Sequence, residues 1–232
     1  MQDKDSAQTI GILALQGDFD AHRKILDACG ANSRLVREAS DLDACDALVL
    51  PGGESTAMAR GCDRLGLWEP LQARLRAGMP VLGTCAGLIL LAHAIEGAAT
   101  TFAQRTLDVL DIDVARNAYG AQSESFETAV AVVGIEEPVH ASFIRAPQIT
   151  RVGPSVEVLA QYAGRPVLVR HKPATATETA NQVETQEEKE GASAAPPPWG
   201  TVWGCAFHPE IVGEARIHQL WLDEIKKAAT GR

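Results

Sequence analysis

The chain has 232 residues, of which 46% are hydrophobic and 22% charged, a balance that suits one globular domain with a sizeable core over residues 1–232. Its formal net charge of -9 argues against nucleic-acid binding, which requires a basic surface. The start of the chain, residues 1–8, is polar, and the apolar run after it is too short for a signal peptide or a membrane span. We therefore expect a cytoplasmic protein that does not bind membranes.

The first half of the chain alternates apolar runs with segments of helical pattern. Strands are predicted at residues 9–15, 33–37, 47–50 and 80–83. Helices are predicted at 19–29, after a cap at Ser55 and Thr56, at 67–76 and at 87–95. Such alternation is typical of βαβ units, so we predict an α/β fold with a doubly wound, mostly parallel sheet flanked by helices, in a flavodoxin-like arrangement.

The second half changes character, because short strand patterns follow one another with turns between them. They cover residues 107–115, 126–133, 142–145, 156–162, 167–171 and 203–207. A final amphipathic helix is predicted at 214–229. Several of these strands are expected to pair antiparallel and so to add to the parallel sheet.

The segment 173–198 differs in composition from the rest of the chain. It is rich in Ala, Thr, Glu, Gln and Pro, it is acidic, and it has few large apolar residues. Such a segment cannot bury enough surface to offset its ordering entropy. We interpret it as a flexible, solvated insertion between two strands, with a functional lid as the alternative.

The chain has five cysteines, Cys29, Cys45, Cys62, Cys85 and Cys205. Their odd number and wide spacing, without a C-x-x-C pair, indicate neither a disulfide framework nor a zinc site, so we expect a reducing compartment and no bound metal. Four of them lie in apolar or helical surroundings and are expected to be small buried hydrophobes.

Cys85 is the exception, because it lies in Gly83-Thr-Cys-Ala-Gly87 between an apolar strand and an apolar helix. This is the pattern of a nucleophile elbow with sulfur in place of oxygen, in which small flanking residues permit a sharp turn. The turn places the thiol at a helix N-terminus, where a thiolate is stabilised, and the N–H of Ala86 is placed to bind an oxyanion. The alternative is an ordinary strand–helix junction with an incidental cysteine.

A base for this thiol is predicted in Phe207-His-Pro-Glu210, just after the last core strand. Proline keeps the preceding residue extended, so His208 and Glu210 are expected to face the same side, with the carboxylate orienting the imidazole. Taken alone, the motif fits a polar loop better, and the presence of an elbow cysteine reverses that preference. His22 and His93 are alternatives, although His93 would lie roughly 12 Å along the predicted elbow helix and too far away. We expect surface positions for His140, His171 and His218.

The loop Pro51-Gly-Gly-Glu-Ser55 follows the third strand and opens a helix. Adjacent glycines let backbone N–H groups approach a ligand, so Gly53 is a candidate for an oxyanion hole beside the elbow. The loop is not a P-loop, because the G-K-[ST] ending is absent. A plain turn is the alternative.

With these residues identified, the chain resembles the class I, or triad, glutamine amidotransferases, and among them the glutaminase subunits of pyridoxal 5'-phosphate synthases. The elbow and the H-P-E motif are specific to the class. The strings that carry the resemblance occur in the family's order: Gly11-Ile-Leu-Ala-Leu-Gln-Gly-Asp18, Leu50-Pro-Gly-Gly-Glu-Ser-Thr56, Gly83-Thr-Cys-Ala-Gly-Leu-Ile89, Arg116-Asn117, Ser125-Phe-Glu127, Phe143-Ile-Arg-Ala-Pro147 and Phe207-His-Pro-Glu210.

The resemblance implies that Cys85 attacks the side-chain amide of L-glutamine, that His208 moves the proton and that Glu210 orients His208. Ammonia then leaves before water releases glutamate from a γ-glutamyl thioester, and no cofactor takes part. The positions that match the family's glutamine contacts are Gly53, Glu54, Ser55, Arg116, Ile144 and Arg145. Arginine suits the α-carboxylate of a free amino acid, although without the family a solvated surface charge is the simpler interpretation of either arginine.

The resemblance also implies a partner, a (β/α)8-barrel synthase subunit that uses the ammonia to build pyridoxal 5'-phosphate. The segment 173–198 departs from the family's compact pattern and puts in doubt how closely that edge packs against a partner. Two other hypotheses are a different amidotransferase or γ-glutamyl hydrolase with the same triad, and a catalytically silent binding protein on the same fold. The strings at 11–18 and 143–147 argue against the first, and the intact Cys85, His208 and Glu210 against the second.

Overall fold

The computed structural model describes residues 8–97, 104–116, 125–172 and 200–230. Within these ranges the strands are β1 (Thr9–Leu13), β2 (Asn32–Val36), β3 (Ala47–Leu50), β4 (Val81–Thr84), β5 (Ala92–Glu96), β6 (Leu110–Ala115), β7 (Phe126–Val130), β8 (Val139–Phe143), β9 (Gln148–Val152), β10 (Val156–Tyr162), β11 (Arg165–His171) and β12 (Val202–Cys205). The helices are α1 (Phe19–Ala28), α2 (Ala39–Leu42), α3 (Ser55–Leu65), α4 (Trp68–Arg76), α5 (Ala86–Leu91) and α6 (Arg216–Thr230).

The central sheet has seven strands in the order β10-β11-β12-β4-β3-β1-β2. The pairs from β12 to β2 are parallel, and β10 and β11 extend the sheet antiparallel at one edge. Five parallel strands in the order 2-1-3-4-12 follow the flavodoxin-like arrangement. The predicted mostly parallel α/β fold with added antiparallel strands is therefore confirmed.

The middle strands of this sheet are covered on both faces. Every residue of β3, β4 and β12 is buried, which explains why their sequences are apolar throughout instead of alternating. The largest fully buried side chains include three tryptophans, Trp68, Trp203 and Trp221. This rigid core ends on one side at the carboxyl ends of β3, β4 and β12, where ligand sites of open α/β sheets form.

One predicted helix is shorter than expected. The pattern at 87–95 predicted a helix through Ile95, whereas α5 ends at Leu91 and Ala92 turns to an extended backbone that begins β5. In β5 the backbone pairs with β6, which belongs to a second sheet in the order β5-β6-β9. Pairing with a distant strand thus overrides a local helical pattern, and His93 lies on a strand rather than on the elbow helix.

The remaining described elements follow the predicted order with shifted ends, although the short helix α2 was not predicted. The strands β7 and β8 form a hairpin, and β9, which the sequence did not predict, pairs antiparallel with β6. Among the described residues, no helix is long and apolar enough to cross a membrane. The segment predicted as an insertion, 173–198, lies outside the described residues.

Candidate active site

The elbow between β4 and α5 holds Cys85 in a backbone conformation that side chains rarely adopt, with φ 45° and ψ -100°. Its glycines are required by close packing. A Cβ on Gly83 would lie 2.7 Å from the backbone of Gly87, and one on Gly87 would collide with the carbonyl of Leu50. The N–H of Cys85 donates to the carbonyl of Cys205 at 2.8 Å, which fixes the elbow to β12.

The structure brings His208 and Glu210 together beside this elbow. The imidazole Nδ1 lies 2.7 Å from Oε1 of Glu210, and both side chains are buried. The backbone N–H of His208 donates to the carbonyl of Ser142 at 2.8 Å, so β8 fixes the backbone that carries the imidazole. Because Nδ1 is occupied by the carboxylate, Nε2 is the nitrogen free to serve Cys85.

The electrostatics of this group favour a charged imidazole. Burial alone would lower the pKa of His208, but its hydrogen bonds to Cys85 and Glu210 raise that pKa to about 10. Burial would likewise raise the pKa of Glu210, yet its polar contacts with His22 and His208 bring that pKa well below its usual range. Glu210 therefore stays ionised and can stabilise an imidazolium on His208.

Burial raises the thiol pKa of each of the other four cysteines, and the size of the rise differs among them. Burial raises the pKa of the thiols of Cys29 and Cys45, raises that of Cys62 to about 12 and raises that of Cys205 well above its ordinary value. All five cysteines are free thiols. The four are therefore poor nucleophiles, as expected for buried small hydrophobes.

A cavity of about 590 Å³ opens above the thiol. It is lined by Cys85, His208 and all six predicted substrate contacts, namely Gly53, Glu54, Ser55, Arg116, Ile144 and Arg145. Asp18 and Glu96, which the sequence did not single out, also line it. Two arginines and several carboxylates around one thiol suit a small zwitterionic ligand.

The glycine loop forms the wall nearest the histidine. The N–H of Asp18 donates to the carbonyl of Gly52 at 3.1 Å. Because N–H and C=O point in opposite directions across a trans peptide, the N–H of Gly53 points away from Asp18. Gly53 itself has φ 143°, and a Cβ there would collide with the side chain of Gln16.

Glu54 has a structural task that the sequence did not indicate. Its carboxylate accepts from the N–H groups of Thr56 at 3.0 Å and Ala57 at 2.8 Å, which makes it the N-cap of α3. The predicted cap at Ser55 and Thr56 is therefore wrong, because these are the first two residues of α3 and the cap is the residue before them. The backbone of Glu54 is engaged as well, because its N–H donates to Oε1 of Gln16 at 2.7 Å and its carbonyl accepts from the N–H of Met58 at 3.1 Å.

Arg116 is held at the cavity by neutral side chains. Its Nη1 donates to Oγ1 of Thr56 at 3.1 Å and to Oε1 of Gln104 at 3.0 Å. The same amide oxygen accepts from the hydroxyl of Ser55 at 3.1 Å. Its hydrogen-bond partners among the described residues are uncharged, so the guanidinium is suited to pair with the charge of a ligand. The role of Gln104 could not be recognised from sequence.

On the opposite wall, the carbonyl oxygen of Ile144 lies 4.0 Å from Sγ of Cys85. The next residue, Arg145, has φ 46°, an unusual conformation for a side chain other than glycine. Such outliers persist where the surrounding structure holds them, and they concentrate at functional sites. The backbone turn after β8 thus brings a carbonyl and an arginine to the same cavity.

A second layer of polar side chains lies beneath the triad. His22 on α1 contacts Thr84 with Nε2 at 3.0 Å and His218 with Nδ1 at 2.9 Å. The predicted surface position of His218 is wrong, because its side chain is fully buried on the inner face of α6. By contrast, His93 and His140 are exposed and paired with Asp108 and Glu127.

One group of side chains in the described residues has the donors and spacing for a metal ion, namely Asp18, His208 and Glu210. The two donor atoms nearest each other, Nδ1 of His208 and Oε1 of Glu210, already bond to each other at 2.7 Å. Oδ2 of Asp18 stands 3.8 Å from the same nitrogen. We therefore assign this group to the orientation of His208.

Taken together, the geometry can carry out acyl transfer. A thiol and an imidazole that can hold a proton line the cavity, and an ionised carboxylate bonds to the imidazole from the buried side. Such an arrangement can form and hydrolyse a thioester.

Comparison with known proteins agrees with this geometry. Residues 12–179 match the SNO glutamine amidotransferase family. The chain is 44% identical to the pyridoxal 5'-phosphate synthase subunit PdxT of Mycolicibacterium vanbaalenii over 218 residues, which is 94% of this chain and 97% of that protein. It is 43% identical to the PdxT subunit of Frankia casuarinae over 228 residues, covering 98% of this chain and all of the relative.

Solved structures give the same picture. A crystal structure of a glutamine amidotransferase superimposes with a TM-score of 0.76 at 36% identity, covering 94% of this chain and 98% of that one. The structure of PurLQS from Thermotoga maritima has a TM-score of 0.59 at 13% identity, covering 96% of this chain and 99% of that one. At that identity the second likeness concerns the fold alone.

Proposed function

The chain belongs to the SNO glutamine amidotransferase family, and we infer from this membership that it is the glutaminase subunit of a pyridoxal 5'-phosphate synthase. It hydrolyses L-glutamine to L-glutamate and ammonia, and the ammonia serves vitamin B6 biosynthesis in a synthase partner. The observation that carries the mechanism proposed below is that Cys85 and His208 contact each other at the cavity while the buried Glu210 bonds to the imidazole at 2.7 Å.

In the proposed reaction, Cys85 attacks as a thiolate while His208 holds the proton. Sγ adds to the side-chain amide carbon of glutamine, and the carbonyl oxygen becomes an oxyanion. His208 then gives its proton to the amide nitrogen, the C–N bond breaks, and ammonia leaves a γ-glutamyl thioester on Cys85. The raised pKa of His208, about 10, is consistent with an imidazolium that waits for this step.

The second half of the reaction uses the same histidine as a base. Neutral His208 takes a proton from water, the hydroxide adds to the thioester carbon, and the C–S bond breaks to release glutamate and restore the thiolate–imidazolium pair. Glu210 stays ionised throughout and compensates the charge that appears on His208. Its role is to hold the imidazole with Nε2 toward the thiol.

The oxyanion is proposed to lie between the N–H groups of Gly53 and Ala86. Ala86 is the first residue of α5, so its N–H is among those that no residue within the helix can accept. Gly53 lines the cavity from the glycine loop, with its N–H directed away from Asp18. Two such donors match the arrangement that stabilises tetrahedral intermediates.

The ends of the glutamine molecule are assigned from charge. Arg116 and Arg145 would bind the α-carboxylate, for which a guanidinium is the natural forked donor. The α-ammonium needs acceptors, and we assign it to the carbonyl of Ile144 and the carboxylate of Glu96. Glu54 and Ser55 line the cavity beside these groups, and the carboxylate of Glu54 is engaged in capping α3.

The partner is proposed to be a (β/α)8-barrel synthase subunit in a hetero-oligomer. What supports this is the name of the relatives, which are subunits of a pyridoxal 5'-phosphate synthase. We place the complex in the cytoplasm, since the five cysteines are free thiols that a reducing compartment would preserve.

The proposed mechanism is tested by glutamate release from glutamine, with and without the synthase partner, for wild type and Cys85→Ala. We expect Cys85→Ala to lose hydrolysis by at least about a thousand-fold. Cys29→Ala is the matched control, because Cys29 lies outside the cavity on the far end of α1 and should leave the rate unchanged. Undiminished hydrolysis by Cys85→Ala would rule the mechanism out.

A further inference from the structure

Two buried histidines form a layer beneath the triad, although they come from opposite ends of the chain. His22 lies on α1 and His218 on α6, and neither has any exposed surface. Nδ1 of His22 and Nε2 of His218 are 2.9 Å apart, so one proton lies between them. On its other side, Nε2 of His22 is 3.0 Å from Oγ1 of Thr84 and 3.5 Å from Oε1 of Glu210.

The direction of these hydrogen bonds follows from what surrounds them. If His22 carries its proton on Nε2, it donates toward Thr84 and Glu210, while its Nδ1 accepts from His218. In the reverse arrangement, Nδ1 of His218 must carry a proton, yet that nitrogen is buried without a hydrogen-bond partner among the described residues. The lone pair of His22 would also face a carboxylate oxygen. Both features are costly, so the first arrangement is favoured.

The charge state of His218 agrees with this direction. Burial lowers the pKa of His218 to about 3, so its ring is neutral at physiological pH and carries a single proton. That proton sits on Nε2, where it has an acceptor, rather than on Nδ1, where it has none.

We propose that His22 is a positioning residue of the triad, whose Nε2–H, oriented by His218, fixes the carboxylate of Glu210. This deepens the proposed function and rests on it. Oε1 of Glu210 lies 2.7 Å from Nδ1 of His208 and, on its other side, 3.5 Å from Nε2 of His22, a longer contact that this nitrogen shares with its hydrogen bond to Thr84. Oε2 is buried without a hydrogen-bond partner among the described residues. Without His22, the carboxylate loses one of its two anchors, and the orientation of His208 loosens.

Kinetics of two variants of the full chain, each assayed with the synthase partner, test this role. His22→Leu should lower kcat about ten-fold, because the carboxylate of Glu210 loses the polar group 3.5 Å from Oε1, and should change KM less than about two-fold. The small change in KM is expected because His22 does not line the cavity. His22→Gln should recover most of kcat, since its amide N–H reaches about as far from Cβ as ring Nε2. His93→Leu, on an exposed histidine, is the control and should match wild type.

Three outcomes would overturn the proposal. They are wild-type kcat in His22→Leu, a rise in KM instead of a fall in kcat, and equal impairment of His22→Leu and His22→Gln, which would mean that the ring only fills space. Nitrogen-15 NMR of the unaltered protein gives an independent test that needs no variant to fold. We expect a proton on Nε2 of His22, and an unprotonated Nε2 would also overturn the proposal. Cys85→Ala, run in parallel, reports separately on the proposed function.

Discussion

Gly52 offers a test of how tightly the triad is packed, because alanine there should displace His208. A Cβ at position 52 would stand 2.6 Å from Nδ1 of His208 and closer still to Cε1. Contacts of real Cβ atoms are rarely tighter than 3.4 Å, so the ring must move by about 0.8 Å or more. Since a misplacement of about 1 Å can cost about a hundred-fold in rate, Gly52→Ala should lower kcat by about that factor. KM should change little, because Gly52 does not line the cavity.

The assay is steady-state glutamate release in the presence of the synthase partner, with thermal unfolding recorded on the same samples. Unfolding separates slow catalysis by folded protein from a loss of folded protein. Gly61→Ala is the matched control, since its Cβ would meet only the flexible end of Leu15 at 3.1 Å, inside helix α3. That substitution should keep kcat and stabilise the helix by up to about 1 kcal/mol. A folded Gly52→Ala with kcat within two-fold of wild type would refute the reasoning.

Two further predictions concern charge. Arg116→Lys should raise KM for glutamine at least about ten-fold with a much smaller change in kcat, since lysine keeps the charge but loses the forked donor; a larger loss in kcat than in KM would contradict the assignment. Glu210→Gln should alter the pH dependence of stability. The pKa of His208 is raised from 6.5 to about 10 in the folded protein, so its contribution is complete below about pH 6.5 and is lost as pH rises toward 10. Across that window the Tm of wild type should fall more steeply than the Tm of Glu210→Gln, and parallel curves would refute this cause.

The parallel half of the fold could be predicted from sequence because its signals are local. The predicted strand at 47–50 is confirmed at both ends, since an apolar run stops at Pro51-Gly-Gly53. The strand β5 could not be predicted in this way. Its residues continue the apolar pattern of α5 without a helix stop, and only pairing with β6, a partner distant in sequence, makes them extended.

The site residues also fall into those that local sequence motifs reveal and those that only the fold brings together. Cys85, His208 and Glu210 lie in short motifs whose spacing reflects their geometry, and the structure brings them together. His22 and His218 are 196 positions apart, and nothing local links them. A weaker signal was available, since each lies on the apolar face of its amphipathic helix, among residues such as Ile25 and Trp221. A histidine on such a face must find a polar partner, and sequence alone does not say which one.

Because only Cys85 faces the cavity and the other four thiols resist ionisation, selective alkylation of Cys85 can be used to count active sites. Cys85 faces an open cavity, while burial suppresses ionisation of the other four cysteines, above all Cys62 and Cys205. A small alkylating reagent at neutral pH should therefore consume one equivalent per competent subunit. Mass spectrometry of the labelled chain would then report how many copies in a preparation carry a usable elbow, independently of any measurement of turnover.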